Sequence, residues 1–353
     1  MIETNVYNDI INGNLSALEE HLRQGWDIKE NIPVEGLTEK SPPILCALDA
    51  NCFESVKWLV EHGANLNDKD NSCFLFAVRF CDEKMMVYLA ENGADIHAVN
   101  RVGSNAFSEA LYGEKFHHLP ILERLGHTTK EYGGKAFRRA VSVRDHQAIE
   151  FFVNHGVDIN FNKPCMIFPL CGTPLCVAAG HADLEMCKYL VEHGADVTLG
   201  DIFGNRPYII ALERGDTAMA EYFKSQEPAN FHNLQNKLLE LKPYQLPDSL
   251  LSFLQGENLR LDFGSRKSIG CAYIDFFSLV DTVPIKVRRQ KLLRLSRDVD
   301  NYGHLYIVWN PKTRYIACYD VEHEILCDIA PFDAFMQDAA GYIDKLIGGD
   351  IPG

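Results

Sequence analysis

The chain has 353 residues, of which 46% are hydrophobic and 24% charged, so it is long enough for two or three well-cored domains. No apolar run approaches the roughly 18 residues that a membrane span needs. The first residues, MIETNVYNDI, include an early acid and lack the basic and apolar regions of a secretory signal. We therefore expect a cytoplasmic protein that does not bind membranes.

The formal net charge of −15 is spread unevenly along the chain. Residues 1–226 carry 32 acids and 20 bases, whereas residues 227–353 carry 17 acids and 14 bases. An acidic surface repels nucleic acid and anionic membranes, so we expect neither as a partner. The acidic surplus either fits a basic partner or serves solubility alone, and the sequence leaves both interpretations open.

The eleven cysteines indicate reduced, buried thiols in a reducing compartment, because none forms a CxxC pair. Four of them, Cys165, Cys171, Cys176 and Cys187, lie close enough in sequence to be compared with a zinc site. Their spacing matches no standard ligand pattern. We therefore expect neither a metal nor another cofactor.

An amphipathic helix that ends at a glycine recurs along the first two thirds of the chain. The clear copies are VKWLVEHGANLN, MVYLAENGADIH, IEFFVNHGVDIN and CKYLVEHGADVT, with glycines at Gly63, Gly93, Gly156 and Gly194, and weaker copies contain Gly25 and Gly126. Glycine fits because the left-handed conformation that ends a helix costs little only for glycine. Another helix begins 20 residues before five of these glycines, at Pro43, Cys73, Ala106, Ala136 and Pro174, and a further unit begins at Pro207.

The segment TPLCVAA resembles the ankyrin signature TPLHxAA, with Cys176 where histidine is usual. The distances between successive glycines are 38, 30, 33, 30 and 38 residues, around the ankyrin period of about 33. Since the helical part keeps its length, every deviation falls in the hairpin finger between helix pairs, and fingers 26–42 and 157–173 are long. Residues 1–226 are therefore similar to an ankyrin-repeat solenoid of about seven helix-pair repeats, although units four and five lack the signature.

Beyond about residue 226 the repeat pattern stops, and KSQEPANFHN is interpreted as a polar linker. LPDSLLSFL predicts a helix, HLYIVWN, TRYIACYD and EILCDI predict short strands, and PFDAFMQDAAGYIDKLI predicts a final helix. Residues 227–353 are thus expected to form a small α+β domain with an antiparallel sheet. The predicted fold class of the whole chain is mainly α.

The order of elements over residues 235–347 resembles the SUKH superfamily. The resemblance rests on Leu246-Pro247 at a helix start, Gly256 and Asn258 after it, Asp300 and Gly303 before a strand, the acidic turn at 319–324 and a final helix with FDAFM. The stretch 280–299 matches no pattern of that family. Many bacterial SUKH proteins look like immunity proteins that neutralise a toxin, often a nuclease, so the resemblance implies such a role.

The ankyrin resemblance implies a protein partner, bound by the fingers and the inner helices. By position, the finger tips present Asp68, Asp70, Asn100, Arg101, Asp201 and Phe203 to this partner. The long finger adds Phe161, Met166 and Phe168, which either anchor the partner or pack the finger itself.

The sequence contains no GxSxG, HExxH or phosphate-cradling glycine motif, so we predict that the chain is not an enzyme. The segment 286–297 holds six basic residues and is interpreted as a solvated loop or helix face, with nucleic-acid contact or a salt bridge to the acidic array as alternatives. Our leading hypothesis is a non-catalytic immunity or antitoxin protein that neutralises a basic toxin domain. The alternatives are an effector or regulatory adaptor that binds a host or signalling protein, and an enzyme within residues 227–353.

Overall fold

The structure is a computed structural model that describes residues 2–34, 38–264 and 270–349. The contacts within the chain divide it into two compact units. Unit 1 comprises Met1–Phe161 and Cys165–Ile167, and unit 2 comprises Asn162–Pro164 and Phe168–Gly353. Residue 226, where the sequence predicts a change of domain, lies inside unit 2.

Unit 1 consists mainly of short helices that pack in pairs. Its elements are α1 (Ile2–Ile11), α2 (Leu15–Arg23), β1 (Ile32–Pro33), β2 (Lys40–Ser41), α3 (Pro43–Asp49), α4 (Phe53–Glu61), α5 (Cys73–Phe80), α6 (Glu83–Glu91), α7 (Ala106–Tyr112), α8 (Leu119–Leu125), α9 (Thr129–Tyr132), α10 (Gly134–Val143) and α11 (His146–Asn154). Apart from the short α9, these helices pack in pairs that are adjacent in sequence, such as α5 with α6 and α10 with α11. We call the first helix of each pair the inner helix.

The core of unit 1 lies between successive helix pairs. Phe74, Phe107 and Phe137, from three inner helices, are completely buried. The Phe107 ring packs edge-on against the ring of Phe152 in α11, with 5.4 Å between their centroids. Because one helix pair cannot bury its own apolar face, each pair depends on its neighbours for a core.

Unit 2 begins with two further helix pairs and continues into a region of sheets. Its elements are α12 (Pro174–Gly180), α13 (Leu184–Glu192), α14 (Pro207–Glu213), α15 (Thr217–Gln226), α16 (Leu234–Leu241), α17 (Asp248–Leu254), β3 (Arg260–Asp262), β4 (Tyr273–Phe276), β5 (Val283–Val287), β6 (Gln290–Arg294), β7 (Ser296–Val299), β8 (Leu305–Asn310), β9 (Tyr315–Asp320), β10 (Ile325–Ala330), α18 (Phe332–Gln337) and α19 (Ala339–Ile347). One sheet has the order β10-β9-β8-β6-β5 and another β3-β4-β7, and all paired strands are antiparallel. The predicted C-terminal antiparallel sheet is therefore confirmed.

The C-terminal sheets and helices share one apolar core. Trp309 of β8 is buried there and donates a hydrogen bond from its indole N–H to the Tyr244 carbonyl at 2.8 Å. Ile316 and Cys318 of β9 lie in the same core, as does Phe335 of α18. Alternate residues of β8 and β9 thus face this core, as the period of two in a strand requires.

One interpretation of the sequence is wrong in this region. The basic segment 286–297 is neither a solvated loop nor a helix face, because it forms the end of β5, all of β6 and the start of β7, with Leu292, Leu293 and Leu295 fully buried. The polar segment 224–233 is mostly exposed, but one of its residues is held inside the fold. Its Glu227 is buried, and its carboxylate lies 2.5 Å from Nε of Arg206 and 2.8 Å from Nε2 of His232.

A buried arginine joins the sheet region of unit 2 to its last helix pair. Arg294 of β6 is 3% exposed, and its guanidinium lies 2.5 Å from the carboxylate of Glu213 in α14. It also donates hydrogen bonds to the Asn205 side-chain oxygen and to the Ser296 carbonyl, both at 3.0 Å. The guanidinium stacks on the Tyr306 ring, 3.5 Å from its centroid. This charge is therefore compensated only when the sheet and the repeat are both in place.

Replacing Arg294 with methionine should destabilise unit 2 by about 3 kcal/mol, because the half-buried Glu213 carboxylate is left without its counter-charge. The double variant Arg294→Met, Glu213→Leu removes both charges and should lose only about 1–2 kcal/mol. Native-state hydrogen exchange of the β8 amides measures both effects. If the double variant is less stable than the single variant, the charges of Arg294 and Glu213 do not compensate each other.

Replacing Gly134 with alanine should destabilise unit 1 by about 1–3 kcal/mol, because an added Cβ would overlap the ring of Phe161. Gly180 offers a matched control, since a Cβ there meets no atom within 4 Å. Gly180→Ala should be neutral or stabilise the chain by up to about 1 kcal/mol. Urea-induced unfolding followed by circular dichroism compares the two variants, and equal midpoints would contradict the close approach of Phe161.

Candidate functional site

Three of the predicted partner-binding residues hold the turns of their own fingers. The side chains of Asp68, Asn100 and Asp201 each accept hydrogen bonds from two backbone N–H groups further along the same turn, at 2.9–3.1 Å. Asn100 also donates to the Glu109 carboxylate at 2.9 Å. These side chains have defined structural roles, since a finger turn would otherwise leave backbone donors without acceptors.

The structure brings two other predicted residues together. Asp70 lies in the finger before α5 and Arg101 in the finger before α7, and they form an ion pair with 2.6 Å between Arg101 Nε and the Asp70 carboxylate. Both side chains are exposed. The hydrogen bond from Arg101 lowers the pKa of Asp70. These neighbouring finger tips therefore present a neutral pair rather than two separate charges.

The long finger contributes one strongly exposed apolar residue among the predicted three. Met166, in unit 1, is 73% exposed. Phe161 is half-buried because its ring packs on α10, 5.1 Å from the guanidinium carbon of Arg138. Phe168, in unit 2, is also half-buried. Of the two roles that the sequence leaves open, Phe161 fills that of packing the finger.

Phe203 does not lie exposed at a finger tip, which corrects the expectation from its position. It is 7% exposed, because its ring packs edge-on against Tyr306 of β8 and Tyr319 of β9, each at 5.9 Å between centroids. Asp201 lies beside it, and burial raises the pKa of the Asp201 carboxyl. The C-terminal sheet already covers Phe203, so this side chain is not available to a partner while the sheet is in place.

Sequence reasoning missed a surface at the ends of three inner helices in unit 1. The guanidinium carbon of Arg79 lies 5.5 Å from the centroid of the Tyr112 ring, and that of Arg139 lies 4.1 Å from the same centroid. Phe80 and Val143, at the ends of α5 and α10, are exposed. We call these five residues the inner-helix surface. One pattern in the sequence pointed to this surface: Arg79 and Tyr112 each lie six residues after the start of their helix.

Electrostatic contacts fix the geometry of the inner-helix surface. Arg79 lies 3.3 Å from the carboxylate of Glu109, which is itself buried in α7. Among the described residues, no carboxylate lies within ion-pairing distance of Arg139, whose positive charge rests on the Tyr112 ring. The surface thus combines an oriented aromatic ring with a cation that contacts this ring and forms no ion pair among the described residues.

The described residues contain no group of three or more histidine, cysteine, aspartate or glutamate side chains placed to hold a metal ion. Burial raises the pKa of Cys176 to about 11, so its thiol stays protonated at neutral pH. The Thr173 hydroxyl donates to its sulfur, and the thiol lies 3.5 Å from the Leu199 carbonyl. No helix in the described ranges has the length and apolar character needed to cross a membrane.

Comparison with known protein families matches two parts of the chain. Residues 137–234 match a model described as ankyrin repeats (3 copies), and residues 44–90 match one described as ankyrin repeats (many copies). An ankyrin repeat protein of fowlpox virus (strain NVSL) is 28% identical over 128 residues, which are 36% of this chain and 20% of that protein. The human transient receptor potential cation channel subfamily A member 1 is 27% identical over 165 residues, 44% of this chain and 15% of the channel.

The chain therefore spans a fifth or less of the length of these curated relatives. The matched segments contain the TPLCVAA motif and the glycine-ended helices at Gly63 and Gly194. Ankyrin repeats are in general non-catalytic binding modules. The helix pairs of this chain thus include ankyrin repeats, and these repeats form a module for protein–protein interaction.

Proposed function

We propose that the chain is a non-catalytic protein that binds another protein on the inner-helix surface of unit 1. The observation that carries this proposal is that two guanidinium groups lie within 5.5 Å of the Tyr112 ring centroid, with Phe80 and Val143 exposed at the ends of α5 and α10. Tyrosine and arginine are the residues that contribute most often to binding energy at protein interfaces. A ring that is already oriented loses little conformational entropy when a partner binds.

The finer proposal is an immunity or antitoxin role, in which the chain occludes a basic toxin domain such as a nuclease. Two observations support it. Residues 1–226 carry 32 acids against 20 bases, which would speed association with a basic protein. The element order over residues 235–347 resembles the SUKH superfamily, many of whose bacterial members look like immunity proteins.

The alternative proposal is an ankyrin-repeat effector or regulatory adaptor that binds a host or signalling protein. The observation that favours it is the similarity to an ankyrin repeat protein encoded by fowlpox virus. The two proposals share the same binding surface and differ in the partner. They therefore call for separate tests of the surface and of the partner.

Tyr112→Ala should weaken partner binding by about tenfold or more, because it removes the ring that orients both Arg79 and Arg139. Affinity capture from an extract of the source organism, with quantitative mass spectrometry, compares this variant with the unchanged chain. Leu239→Ala is the control, since Leu239 is 58% exposed but lies on α16 in unit 2. If Tyr112→Ala captures the same proteins in the same amounts, the inner-helix surface is not the binding site.

If the chain is an immunity protein, its co-expression with a toxin encoded beside its gene should restore the growth of cells that the toxin inhibits. Loss of rescue in Tyr112→Ala, with equal protein levels, would place the neutralising contact on the inner-helix surface. The unchanged chain must also co-purify with the toxin. A chain that neither rescues growth nor co-purifies with any neighbouring toxin would contradict the immunity role and leave the adaptor role standing.

A further inference from the structure

A cleft with strong positive charge lies in the C-terminal part of unit 2. It is a cavity of about 810 Å³ between the β5–β6 turn, the β8–β9 turn and the start of β10. Ile325 and Leu326 contribute apolar side chains to the lining of this cavity. We call it the cationic cleft, and its basic lining residues are Arg288, Arg289, Lys291 and Lys312.

These cations have no counter-charge of their own. Among the described residues, no carboxylate lies within ion-pairing distance of any of the four, although Glu324 lines the same cavity. Two arginines further along the same segment are paired: Arg294 with Glu213, and Arg297 with Asp275 at 2.8 Å. In a chain of net charge −15, four unpaired cations around one cavity form a local field of opposite sign to the rest.

The β5–β6 turn is an unusual place for arginine. Val287 pairs with Gln290, so Arg288 and Arg289 form a two-residue hairpin turn. Arg288 has a φ of +54°, in the left-handed region where glycine or asparagine is favoured at such turns. Turn formation alone therefore does not account for arginine at position 288, whereas a role for its charged side chain does.

We propose that the cationic cleft binds an acidic peptide segment of a partner protein. Aspartate and glutamate side chains would pair with Arg289 and Lys291, and the apolar parts of the segment would contact Ile325, which is 46% exposed. The cleft borders β10, an edge strand of the five-stranded sheet, whose free backbone groups can pair with an extended segment.

A peptide fits this cleft better than a nucleic acid does. The described lining contains no aromatic ring on which a base would stack. The overall charge of −15 repels the dense phosphate backbone of a nucleic acid more strongly than a short acidic segment. Binding at this cleft does not depend on the inner-helix surface, which belongs to unit 1, so either site is testable without the other.

Fluorescence anisotropy with the full chain tests this proposal, using a labelled peptide of alternating glutamate and leucine as the probe. The double variant Arg289→Glu, Lys291→Glu should bind the peptide about tenfold more weakly or worse. The control Arg214→Glu, Lys224→Glu makes the same change in net charge at two exposed residues that do not line the cleft, and it should lose less than about twofold. Circular dichroism establishes that both variants are folded.

Three results would overturn the proposal. In the first, the unchanged chain does not bind the peptide at low salt. In the second, both double variants lose affinity equally, which would attribute the effect to overall charge. In the third, a labelled single-stranded DNA of equal charge binds more tightly than the peptide and loses its affinity in the cleft variant, which would make this a nucleic-acid site. Selective loss of peptide binding in the cleft variant supports the peptide site.

Discussion

The repeats depend on the hydrogen bonds that backbone N–H groups donate to aspartate carboxylates. Helix starts and finger turns leave amides that no other backbone group reaches, and at many of them a short acidic side chain accepts their hydrogen bonds locally. The aspartates that do so are Asp27, Asp68, Asp82, Asp95, Asp145, Asp158, Asp183, Asp196, Asp201 and Asp216. Part of the negative charge in residues 1–226 therefore stabilises the fold, and its sign alone says little about which residues contact a partner.

Local patterns predicted the helix pairs and the last three strands well. The glycines that end helices have the expected positive φ, for example +86° at Gly63 and +97° at Gly194. The apolar alternation in LYIVWN and YIACYD corresponds to β8 and β9 as observed. Such features were predictable because a helix end or a half-buried strand is determined by residues close together in sequence.

Features that depend on distant residues were not predictable in this way. The basic segment 286–297, which contains three leucines, forms a strand because β6 pairs with β8. Arg294 is buried because Glu213 and Asn205 meet it from α14 and its finger. The inner-helix surface was missed for the same reason. Tyr112 and Arg139 come from different repeats, so no window of sequence shows that they touch.

In unit 2, Glu213 occupies the position in its inner helix that Arg79 and Tyr112 occupy in theirs, six residues after the helix start. There the sheet region covers the helix end and the finger beside it, through Arg294 and the rings around Phe203. A repeat duplicated after residue 226 would separate these partners and leave a buried arginine without its acid. Relatives that gain or lose repeats are consequently expected to do so upstream of α14. The C-terminal region would then restrict changes in repeat number to the part of the array before this helix.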